Sequence, residues 1–265
     1  KIMGQSGKYF TVEVKPFIKA SHQAASSAAF AGDDVLFDWH AFQVPKGASK
    51  LLSINAVLRG ADGASAGTLR DMDIYFAKTI NGVAPATVGN ANATMSAAPV
   101  VSNHIIGMAH IETSEYGNDA VDLFNIAQTG GGAGPNIIPS VVLEGEPDSG
   151  DNVGFDKLYM AGSIGGAFSF GTTVLARGAS AAGSVDVPCD KGSDDDPDAD
   201  LIFAVGDTLH SATDDVLGVV KEIQAFSTNA QPLLFDATSG ITDTIADNEE
   251  IFNVFPIKFV LSFER

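Results

Sequence analysis

Residues 202–265 read IFAVGDTLHSATDDVLGVVKEIQAFSTNAQPLLFDATSGITDTIADNEEIFNVFPIKFVLSFER, and this stretch decides the fold. Gly206-Asp207 opens a turn. Val216 to Ile223 is an apolar run with a polar side, Leu233-Leu234-Phe235 is a second run, and Ile257 to Phe263 is the last. Asp247-Asn248-Glu249-Glu250 forms a polar corner between them. Short apolar runs separated by Gly, Asn and Asp predict β-strands joined by turns, here a small antiparallel β-barrel. Ile257, Phe259, Leu261 and Phe263 recur at every second position, so they are expected to return to a larger sheet.

Upstream, the same rhythm repeats. Phe10 to Lys19 alternates as far as Pro16, which predicts a strand at an edge or a bend. Val35, Phe37 and Trp39, then Phe42 and Val44 after a shift, mark another strand. Leu52, Ile54, Ala56 and Leu58 share one face of the next, and Met72, Ile74 and Phe76 one face of the one after. His104 to Glu112 and Asn136 to Leu143 read as strands. Leu158 to Ile164 and Ala167 to Ala176 read as a hairpin about Gly165-Gly166. Ala20 to Ala31 and Ile80 to Val101 lack periodicity and are expected to be loops. The acidic stretch Gly178 to Asp200 reads as a linker. The expected class is all-β. Residues 1–184 plus 256–265 form a jelly-roll-like antiparallel β-sandwich, and residues 185–255 a small β-barrel insertion near the C-terminus.

The 265 residues carry 33 Asp and Glu against 15 Lys and Arg, a formal charge of -18. Phosphate binding needs stripes of Lys and Arg, so no nucleic-acid partner is expected, and docking on anionic lipid is disfavoured for the same reason. No apolar run approaches the length of a membrane span, and Lys1 to Gly7 lacks the apolar core of a signal peptide. The one cysteine, Cys189, excludes an intrachain disulfide and reads as an incidental thiol.

Candidate chemistry is sparse. Asp194, Asp196, Asp198 and Asp200 offer carboxylates at alternate positions, the spacing that a Ca2+ loop uses. Ala199 stands where an EF-hand needs Gly and Val205 where it needs a bidentate Glu, so a solvated linker is the competing reading. Of the histidines His22, His40, His104, His110 and His210, only His104 and His110 fall on one strand face, and two ligands do not make a zinc site. Gly130 to Gly134 lacks the Lys-Ser/Thr of a phosphate loop. No Gly-x-Ser-x-Gly elbow is present, and no spacing singles out a carboxylate pair, so an enzyme is not expected. Phe37, Trp39 and Phe42 suit a core, with a sugar platform as the alternative.

The terminal stretch resembles a module of structural proteins of tailed bacteriophages, notably those of marine and cyanobacterial hosts. The residues that carry it are Val205-Gly206-Asp207-Thr208-Leu209, Leu217 to Ile223, Ile245 to Val254 and Pro256 to Leu261. The resemblance implies a non-enzymatic virion protein that decorates or cements the capsid, or serves as a tail accessory. It implies major capsid or other virion proteins as partners, a homo-oligomer (a trimer from its threefold positions) and a place on the particle surface, and it carries over no catalytic residue. The alternative is a carbohydrate- or receptor-binding module of a phage spike or fibre.

Overall fold

The computed structural model describes residues 2–3, 8–23, 30–59, 70–96, 102–117, 124–128, 141–147, 154–171, 173–190, 198–226 and 229–265. The strands are β1 (Ile2–Met3), β2 (Tyr9–Val14), β3 (Asp34–Pro45), β4 (Ser49–Arg59), β5 (Met72–Lys78), β6 (Ile105–Ile111), β7 (Tyr116–Gly117), β8 (Phe124–Gln128), β9 (Val141–Leu143), β10 (Glu146–Pro147) and β11 (Phe155–Ile164). They continue as β12 (Val174–Leu175), β13 (Asp186–Asp190), β14 (Thr208–Ser211), β15 (Val216–Val219), β16 (Glu222–Ile223), β17 (Ala230–Leu234), β18 (Glu250–Asn253) and β19 (Ile257–Glu264).

Two sheets make the larger body. One has the order β1-β2-β19-β4-β8-β7, with β9 also on β4; the other has the order β10-β11-β5-β6, with β3 on β11. The chain crosses between them from β2 to β3, β3 to β4 and β4 to β5, stays for β5–β6, then crosses to β8, to β11 and to β19. The inner strands β2-β19-β4-β8 against β3-β11-β5-β6 are a jelly roll of two Greek keys. Alternation decides which side chains close it. Phe10, Val12, Val14, Ile54, Ala56, Phe259 and Leu261 from one sheet meet Leu36, Phe42, Ile74, Phe76, Leu158 and Met160 from the other in one buried cluster. Phe37 and Phe259 touch across the gap, with ring centroids 5.5 Å apart. β2 stops at Val14, just before Pro16, which lacks the N–H a ladder needs.

Residues 174–253 add two smaller sheets, β12-β18-β14-β15 and β13-β17-β16, around a second buried cluster. Among the described residues these sheets do not close into a barrel; they are two open antiparallel layers sharing Val187, Leu209, Leu217, Leu233, Phe235 and Ile251. This second cluster starts at Val174, ahead of the residue-185 boundary expected from the sequence. The acidic linker is likewise interrupted by β13, whose Val187 and Cys189 are buried. Val216 to Ile223 is two strands in different sheets, because Val220 and Lys221 turn the chain. Nor do Leu158–Ile164 and Ala167–Ala176 pair. β11 lies between β3 and β5, Phe168 bridges Phe30, and Val174 pairs with Ile251.

Gly240 fixes one corner of this inserted module. Its φ is +63°, and a Cβ there would stand 2.3 Å from the Gly183 carbonyl oxygen. Gly240→Ala is therefore expected to destabilise the module by about 2 kcal/mol or more, through both the left-handed backbone and the clash. Proteolytic clipping within 174–253 should rise while the jelly roll stays resistant; unchanged clipping would refute this.

Candidate interaction surfaces and the module junction

Charge is divided unevenly between the two bodies. Residues 174–253 hold sixteen Asp and Glu against three Lys and Arg, a formal -13 of the -18 total. The remaining residues, more than two thirds of the chain, hold only -5. The inserted module is an acidic knob on a nearly balanced jelly roll.

The outer face of β2, β19 and β4 carries small neutral side chains among paired charges. Register places Thr11, Ser262 and Ser53 in one row and Glu13, Val260 and Asn55 in the next, all half-buried. Lysines flank these rows. Lys8 pairs with Glu264, Lys15 lies 3.1 Å from Glu13, and Lys258 lies 3.9 Å from the other Glu13 oxygen. Small neutral side chains with balanced charges leave little to desolvate, which suits a protein–protein contact.

A groove of about 460 Å³ opens where the module leans over this sheet. Lys15, Val57 and Lys258 line it from the jelly roll, and Asp200, Phe203 and Asp207 from the module. Beside it the two bodies are joined by a buried polar cluster. Gln23 donates from Nε2 to the carbonyls of Ile18 (2.8 Å) and Asn253 (2.9 Å), and the same nitrogen is 3.3 Å from Nε2 of His210. The Ala20 N–H donates to Oδ1 of Asp214 at 2.6 Å. His210 is wholly buried between Phe17 and Phe252. Burial holds its imidazole below the usual histidine range, opposed by the Asp214 charge and the Asn253 carbonyl. His22 is lowered by burial, then by Lys19, against a smaller opposing pull from Asp214.

The residues singled out in the sequence fall as follows. Asp194 and Asp196 lie outside the described residues. Asp198 precedes and Asp200 belongs to a single helical turn, Ala199–Ile202, and the Asp200 N–H donates to Oε1 of Gln231. Among the described residues no group of three or more His, Cys, Asp or Glu is placed to hold a metal. His104 and His110 do not share a site: Nδ1 of His104 bonds the Lys78 carbonyl, and Nδ1 of His110 lies 2.6 Å from Asp73, whose carboxylate raises it above the usual histidine range. Gly130 to Gly134 lies outside the described residues. Cys189 is buried, its thiol pushed up to about 12 by burial and then by Asp190, which leaves it unreactive.

The aromatic trio does not form a platform. β-Bulges around Gly162 turn Phe37 inward beside Leu36, and Phe42 is also in the core. Trp39 faces the other way, packs with Val35 and Val88, and donates from Nε1 to the Ala86 carbonyl at 2.8 Å. Among the described residues no helix is long and apolar enough to cross a membrane. The junction had no sequence signal. Gln23 and His210 are 187 positions apart, and neither sits in a motif. Compared with known proteins, the chain matches no protein-family model and no curated sequence.

Proposed function

We propose that this protein is a non-enzymatic structural protein of a tailed-phage particle, one that decorates or cements the capsid or tail through contacts with neighbouring subunits. The observation that carries this reading is a jelly roll with a balanced, small-residue outer sheet face and an acidic module inserted before its last strand. Jelly rolls recur in capsid proteins, and the resemblance of the terminal stretch points the same way. In this reading the face of β2, β19 and β4 docks on major capsid or other virion proteins, and the acidic module faces solvent. Copies associate as a homo-oligomer, with three the number that threefold capsid positions ask for.

Two measurements on purified particles test it. Thr11→Glu with Ser262→Glu puts two charges side by side on the docking face, and particle occupancy should fall on the order of ten-fold. Wild-type occupancy should rise from low to moderate salt, because acidic modules on neighbouring copies repel and ~0.1 M salt screens charges beyond about 10 Å. Undiminished occupancy of the double variant, or occupancy that falls steadily with salt, would overturn the docking model.

A further inference from the structure

The inserted module is tied to the segment Phe17–Gln23 by the Gln23 amide and by the Ala20 N–H on Asp214, with the His210 imidazole against that amide and the His22 imidazole nearby. The orientation of Gln23 is fixed, because Nε2 faces two carbonyl oxygens, of Ile18 and Asn253, and only an amide NH2 satisfies both. An amide nitrogen donates and does not accept, so His210 turns a lone pair, not a proton, toward Gln23 at Nε2. The single proton of the neutral ring is then on Nδ1, 3.4 Å from Oδ1 of Asp214 and without a hydrogen bond. Nδ1 of His22 is also buried without a partner.

We infer that this junction is an acid-released latch, in which a second proton on His210 displaces the Gln23 amide that ties the module to the jelly roll. A proton on Nε2 sets donor against donor across the 3.3 Å contact and competes with Gln23 for the Asn253 carbonyl. A charge on His22 has no partner for its Nδ1. The charged groups acting on the two rings are Asp214, from the turn after β14, and Lys19, from the segment before β3; β18 contributes the neutral Phe252 and Asn253.

Direction follows from where the rings prefer their protons. In the closed junction both are held below the ordinary histidine value of about 6.5, and opening restores it. The closed state is therefore fully favoured above about pH 6.5 and loses ground as pH falls below it. Each ring contributes at most about ten-fold per pH unit. Carboxylates held by hydrogen bonds act later. Glu146 accepts from the Asn81 and Gly82 N–H groups and the Thr79 hydroxyl, and Asp236 from Thr238 and Ser239. Both lie below the usual carboxylate range, so their contribution persists until pH falls below about 4.

Amide exchange of the intact protein at pH 7.5, 6.5 and 5.5 tests this, with each amide expressed as a ratio to those of β19 so that intrinsic chemistry cancels. Protection of Ile18 and Ala20 should fall at least ten-fold relative to β19 over that range. His22→Gln combined with His210→Gln should abolish the fall. An unchanged ratio in the wild type, or an equal fall in the double variant, overturns the latch. If the double variant does not fold, imidazole titration of the wild type by NMR decides: rings that protonate while Ile18 and Ala20 stay protected overturn it as well.

Discussion

Phe259→Ala is expected to destabilise the jelly roll by about 3–5 kcal/mol. Phe259 is completely buried and lies in β19 between β2 and β4, at the centre of one sheet. Its ring also meets Phe37 of the opposite sheet. Truncation therefore removes apolar contact from both layers at once and leaves a cavity that flanking strands, hydrogen-bonded on both sides, cannot close. The melting temperature of the jelly roll should drop by about 6–20 °C. The inserted module should keep its own transition, because its buried cluster includes no residue of β19. A loss below about 1 kcal/mol would mean that the two sheets are not joined through this ring.

Excising residues 174–253 and joining 173 to 254 through a short Gly-Ser bridge should leave a folded jelly roll. Every member of the larger core cluster lies outside the excised span, and Val174 pairs directly with Ile251, so the chain enters and leaves the module side by side. The remainder would carry a formal charge of only -5 in place of -18, which a shift in anion-exchange elution would report. Its β-sheet circular dichroism should persist with a single thermal transition. A featureless spectrum would show that the Gln23–Asn253 and Ala20–Phe252 contacts are needed for the jelly roll itself.

Strands with clean two-residue alternation were legible from residues alone. Phe10-Val12-Val14, Ile54-Ala56-Leu58, Met72-Ile74-Phe76 and Ile257-Phe259-Leu261-Phe263 all face the core as their spacing predicts, whereas Leu52, expected on the face of Ile54, is only half-buried because a bulge opposite Ser262-Phe263 puts Leu51 in the core instead. What failed is what spacing does not encode. Val35, Phe37 and Trp39 share a parity, yet bulges at Gly162 send Phe37 inward and leave Trp39 outside. Gly162 permits this because a Cβ there would stand 2.5 Å from the Phe37 ring. Val187 and Cys189 alternate too, but Asp186 and Asp190 around them make the strand look like part of a solvated run. The junction was invisible because Gln23 and His210 gain meaning only from each other.

The placement of β19 also sets the order in which the protein can be built on the ribosome. The centre of one jelly-roll sheet is made of residues 257–264, whereas its neighbours β2 and β4 are made of residues 9–14 and 49–59. At about 5–20 residues per second, β2 emerges roughly 10–50 s before its partner exists. All strands of the inserted module fall between 174 and 253, so the acidic knob is complete while β2 and β4 still expose bare edges. The formal -13 carried by residues 174–253 precedes β19 on the chain and sets like charges against one another wherever two such copies meet, which opposes the edge-to-edge pairing that bare strands invite.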